Sequence, residues 1–117
     1  MTVSALARVE VPAALWRKSR ADELDAARAA RLVRWFEVDL IGGIDERPRF
    51  AVIAARMPLL SAAAAAAATH SLRAYDAIQL ASALAARAAD PDCTRFACFD
   101  ADLREAAAAS GFTLIPE

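Results

Sequence analysis

Apolar residues recur along the chain in two rhythms, one at helical spacing and one in short unbroken runs, and their alternation predicts the architecture. Leu6, Val9, Ala13 and Trp16 share one face of a helix through "ALARVEVPAALWRK", which Ser4 is placed to cap. Pro12 interrupts it, so the helix either kinks just after Glu10 or restarts at Pro12 as a first-turn residue. A second helix is expected over residues 21–36, with Asp25 and Arg28 three apart and Leu32, Trp35 and Phe36 as its apolar end. The Gly pair and Pro48 of "IGGIDERP" mark a loop, and "RFAVIA", with β-branched Val52 and Ile53, predicts a strand.

Ser61 opens an Ala-rich helix ending near "THS", and residues 72–89 form the next helix, broken by "ADPD". The run "TRFACF" predicts a buried strand, "ADLREAAAAS" a helix closed by a left-handed cap at Gly111, and "FTLI" a last strand. Strands alternating with helices predict an α/β fold, a short parallel sheet covered by helices, within one domain over residues 1–117. Alanine abounds, so helix propensity is high almost everywhere and helices alone say little about function.

Composition narrows the setting. Arg8 and Glu10 fall inside what would be the apolar region of a secretory leader, and "MPLLSAAAAAAATHSL" is too short and Ala-rich to span a bilayer. The expectation is a cytoplasmic protein with no membrane partner. Cys93 and Cys98 stand five apart with a single His in the chain, which fits neither a metal-ligand spacing nor a disulfide framework, and predicts two reduced, packed thiols. With a formal net charge of -1, any affinity for nucleic acid must come from a local patch.

Three acids interrupt apolar surroundings: Glu10 between Val9 and Val11, Asp76 at the head of an apolar helix, and Asp100 just after "RFACF". In open parallel sheets ligands gather beyond the carboxyl ends of strands, where Asp100 falls, and the first turn holding Asp76 is delivered to the same edge. Carboxylates gathered by a fold repel unless a cation sits among them, which points to a hard divalent metal. Plainer roles stand beside this. Asp100 suits a helix cap, Asp76 gains from the helix dipole, and Asp102, with Glu105, fits a capping pattern. Glu10, read as mid-helix, has no capping role but can face solvent beside Arg8 or Arg17.

Together "SALARVEVPAALWR", "LRAYDAIQLASALA" and "FACFDADLREAAAASGFTLI" resemble the PIN-domain family, and within it the VapC-type toxins of bacterial toxin-antitoxin pairs, in order and spacing over essentially the whole chain. The resemblance implies a three-layer PIN-like domain that hydrolyses RNA with Mg²⁺ or Mn²⁺, as a homodimer neutralised by an antitoxin protein. Glu10 matches the family's second acid, Asp76 its third and Asp100 its fourth; these are the implied catalytic residues and, with Asp102 as accessory, the implied metal ligands. Metal held there lowers the pKa of a bound water and stabilises charge on phosphate oxygens.

Two departures accompany the match. Cys98 stands where the family places a hydroxyl, which weakens any hydrogen bond to the acids. The family's first strand, central in the sheet and ending in the first acid, has no counterpart after Met1, so the flanking strands are expected to lack a neighbour. A mis-assigned start is the favoured expectation, with truncation or a partner chain filling the gap as alternatives.

Arg17, Lys18, Arg20, Arg28, Arg31 and Arg34 form a basic stripe that can be an RNA surface or a solvated face, and Arg73, three residues before Asp76, is the candidate substrate contact. Trp16, Trp35 and Phe36 either finish the core or make an oligomer or antitoxin surface. His70 with a cysteine makes a poor nucleophile pair, because the strand holding Cys98 disfavours thiolate. The rival functions are a catalytically impaired PIN-like module that only binds antitoxin or itself, and a purely helical interaction protein.

Overall fold

The computed structural model describes residues 1–117, and its contacts divide them into two compact units, Met1–Val52 and Ile53–Glu117. The first unit opens with β1 (Thr2–Ser4), a strand the sequence pattern does not predict, followed by α1 (Ala7–Arg20) and α2 (Ala26–Ile41). Ser4 does not cap α1. Its buried Oγ accepts from Leu6 N–H at 3.2 Å, which turns the chain from the strand, and the helix begins later, at Ala7. Pro12 lies inside α1, which runs on through it to Arg20.

Helix α2 starts five residues later than its apolar pattern suggests, because Asp25 is its cap: Oδ1 accepts from Arg28 N–H at 2.8 Å. The pair read as a side-chain charge pair is therefore a side chain on a backbone amide. Asp22 takes a positive φ of 58° in the turn between the helices. Gly42 ends α2 at φ 85°, where an added Cβ would sit 2.8 Å from Glu46 O, so only glycine fits that turn. Phe50 packs at a tilt on Phe36, ring centroids 6.1 Å apart, and leads into β2 (Ala51–Ile53), which pairs with β1.

The second unit contains α3 (Met57–His70), α4 (Ala74–Ala89), β3 (Arg95–Ala97), α5 (Ala101–Ala109) and β4 (Thr113–Ile115). Helix α3 begins four residues before Ser61, because Pro58 fits a first turn, where no intrahelical donor is needed. Its Ala run is helical, with Ala63 and Ala66 buried and Ala62, Ala64, Ala65 and Ala68 exposed. Leu59, Ala63 and Ala66 lie in one buried cluster with Ala77, Leu80 and Ala81 of α4, and Leu72, Leu103, Ala106, Ala107 and Phe112 complete it. Leu80 is fully buried, and burying such a side chain stabilises by roughly 1.5–3 kcal/mol.

Strands β3 and β4 are parallel, in the register Arg95↔Thr113, Phe96↔Leu114 and Ala97↔Ile115. Helix α5 connects them, and Gly111 supplies the expected left-handed turn at φ 90° while Phe112 N–H returns to Ala107 O at 3.1 Å. The fold is mixed α/β. In place of one covered sheet the strands form two separate two-stranded ladders, β1–β2 and β3–β4. Each strand is three residues long, half the length of the apolar runs at "RFAVIA" and "TRFACF".

Candidate functional site

The carboxyl end of β3 builds one side of the candidate site. After Ala97 the chain turns, and Asp100 becomes the N-cap of α5, its Oδ2 accepting from Leu103 N–H at 3.0 Å. The plain structural role foreseen for Asp100 is thus filled, by one of its two carboxylate oxygens. Asp102 follows in the first turn of α5.

Asp76 comes from the first turn of α4, whose cap is Arg73 in extended conformation, with no side-chain hydrogen bond. The helix starts at Ala74 and not at Leu72, since Leu72 is buried and Ser71 turns the chain at a left-handed φ of 54°. The Asp76 carboxyl is held above the ordinary aspartate range, first by partial burial and then by the negative charge of Asp100, with a smaller push from Asp102. Arg73 acts in the opposite direction. Asp76, Asp100 and Asp102 therefore share one electrostatic neighbourhood, reached from two helix starts.

Cys98 stands beside this neighbourhood. Its thiol donates weakly to Asp100 O, a backbone carbonyl, at 3.9 Å. Burial raises its pKa, and Asp100 and Asp76 add to this while Arg104 opposes it, so the thiolate needed for a nucleophile is disfavoured. His70 lies in the last turn of α3 and lines, with Thr69, Ser71, Asp102, Glu105, Ala106 and Ala109, an open cavity of about 440 Å³. No signal in the sequence joins those segments.

Within this unit the donor set has the chemistry of a hard-cation site: aspartate oxygens whose mutual repulsion a divalent ion relieves. The side chains as they stand do not bring three ligating groups together around a point. The set fits Mg²⁺ or Mn²⁺ by donor type and charge.

Glu10 belongs to the first unit. It lies in the first turn of α1 and not in mid-helix, because the helix starts at Ala7, so its charge complements the helix dipole. Arg17, Lys18 and Arg20 occupy the last turn of the same helix, the favourable end for cations, and Lys18 pairs with Glu23 at 3.2 Å in an exposed contact. Arg28, Arg31 and Arg34 are exposed on α2, as is Trp35, whereas Phe36 is half-buried.

One participant escapes a reading of acids and hydrophobic spacing. Arg104 of α5 donates from Nη1 to Cys98 O at 2.9 Å and from Nη2 to Pro116 O at 2.7 Å. Its spacing of four from Asp100 is the only sequence signal, since a helix side chain leans toward the helix start.

Compared with protein-family models, curated proteins and solved structures, the chain gives no match. No helix is long and apolar enough to cross a membrane.

Proposed function

We propose that the protein is a metal-dependent ribonuclease of the PIN type, a VapC-like toxin that hydrolyses RNA phosphodiester bonds. The observation that carries the reading is the placement of Asp76, in the first turn of α4, close enough to Asp100 and Asp102 at the start of α5 that their charges, after burial, raise its carboxyl. The resemblance of three separated sequence stretches supplies the reaction class. A three-layer PIN-like arrangement, a homodimer and an antitoxin partner belong to the same proposal.

In this reading Asp76, Asp100 and Asp102 would hold Mg²⁺ or Mn²⁺. When bound, the ion supplies Lewis acidity and a water of lowered pKa. The chain's own contribution is to fix the carboxylates. The Leu103 amide orients Asp100 through Oδ2, leaving Oδ1 for an ion, and the α4 backbone delivers Asp76 from its first turn. Arg73 tempers the negative field and offers a guanidinium to an RNA phosphate.

The test is cleavage of a mixed RNA substrate with Mn²⁺ by the chain and by Asp76→Asn and Asp100→Asn. Each substitution is expected to slow cleavage by roughly 10²- to 10³-fold, the usual effect of losing one group that stabilises transition-state charge. Cleavage by both variants at the parental rate rules the assignment out.

A second reading is a PIN-like module that binds partners without cutting. It predicts no rise in unfolding midpoint on Mn²⁺ titration, whereas an intact site gives a rise that grows with metal concentration.

A further inference from the structure

We propose that Arg104 is a positioning residue for the acidic site, fixing the turn that presents Asp100 by clamping the carboxyl ends of β3 and β4 together. The inference rests on the reading of Asp100 as a ligand-bearing residue.

The ladder between β3 and β4 ends at the pair Ala97↔Ile115, after which Cys98 N–H still reaches Ile115 O at 3.1 Å. One residue further along each strand, the Cys98 and Pro116 carbonyls both receive the Arg104 guanidinium, at 2.9 and 2.7 Å. The planar fork spans two acceptors at once, which a single ammonium does poorly. The clamp thus continues the ladder through a side chain where backbone pairing stops. Two residues after Cys98, Asp100 turns back to cap α5, and Arg104 N–H donates to Asp100 O at 2.9 Å. Arg104 therefore holds the turn from both directions, through its backbone to Asp100 and through its side chain to Cys98.

The placement is informative because it runs against the helix dipole. A cation near the start of α5 meets the positive end of the helix, where carboxylates are favoured. An arginine there is explained by its two carbonyl acceptors. Arg87 offers a contrast: it donates to Ser110 O at 2.8 Å, at the end of α5, where the dipole favours it, and lies over the Phe112 ring at 4.3 Å. Arg87 fastens the helix. Arg104 fastens the turn that carries the acid.

The experiment compares the full chain with Arg104→Ala, Arg104→Lys and Arg104→Gln by amide hydrogen exchange and by calorimetric titration with Mn²⁺ alone. In Arg104→Ala the Leu103 amide, which Asp100 accepts, is expected to exchange roughly tenfold faster or more, with Mn²⁺ affinity falling by about 10- to 100-fold, as for loss of an outer-shell partner. The Leu80 and Ala81 amides keep their protection, and Arg104→Lys recovers part of both effects. Parental Leu103 exchange and parental Mn²⁺ affinity in Arg104→Ala overturn the proposal, as does an equal loss of protection at Leu80. If the parent binds no Mn²⁺, the metal reading fails, and Leu103 exchange alone decides on Arg104. If Arg104→Ala does not fold, Arg104→Gln decides in the same terms.

Discussion

The two units of this chain are stabilised in different ways. Ile53–Glu117 has a contiguous core of buried side chains contributed by α3, α4, α5, Leu72 and Phe112, and its acids stand on helix starts anchored in that core. Met1–Val52 contains only Ala7, Ala29 and Leu40 as buried apolar residues, while Val9, Trp16, Trp35, Ile41 and Ile44 remain exposed. The second unit gives Asp76, Asp100 and Asp102 a packed support, whereas the first presents an apolar, arginine-rich helical surface.

The sharpest way to break this contrast is to empty the second core. Leu80→Ala is expected to destabilise by about 3 kcal/mol, within the usual range for truncating a fully buried leucine, seen as a lowered urea midpoint. The corresponding change in the first unit, Trp35→Ser at a residue 63% exposed, is expected to shift stability by no more than about 0.5 kcal/mol. A large loss from Trp35→Ser, or none from Leu80→Ala, would contradict the division.

Arg87→Ala comes next, with an expected loss of roughly 1 kcal/mol from its hydrogen bond to Ser110 O and its contact with Phe112. Thermal unfolding at constant pH measures it.

The smallest effect concerns pH and has the most to say about function. Asp76 has a raised pKa, so the folded state holds the proton more tightly than the unfolded chain. Its contribution favours folding below the unfolded aspartate value and is lost as pH rises through the folded one. At neutral pH, without metal, Asp76→Asn is therefore expected to raise the unfolding midpoint slightly. With saturating Mg²⁺ the order reverses, because the parent gains from the bound ion and the variant does not. A midpoint lowered by Asp76→Asn in metal-free buffer would show that the carboxylate is a structural asset.

Much of the second unit was legible in the sequence. The helical period of residues 72–89 and Gly111 as a left-handed stop reflect local rules that tertiary packing obeys here, whereas the run "TRFACF", expected as a buried strand, is a strand only at Arg95–Ala97 and leaves Phe99 exposed. Boundaries were missed where a side chain found a backbone partner that spacing does not reveal: Asp25 moved the start of α2, Ser4 turned a strand in place of capping a helix, and Pro58 opened α3 early. The acids were visible as interruptions of apolar runs. Arg104 was not, because its two acceptors lie 6 and 12 residues away and meet only through the β3–β4 register. The two separate ladders were hidden for the same reason, since hydrogen-bond partners of short strands are chosen by the whole fold.

The most direct measurement is a carbon-13 NMR titration of the Asp76 carboxyl in the parent, in Asp100→Asn, and in the parent with Mg²⁺. The account predicts a pKa above the ordinary aspartate range in the parent, lowered by Asp100→Asn and lowered further by Mg²⁺. An Asp76 titration that neither the substitution nor the ion moves would mean that these carboxylates do not form one site.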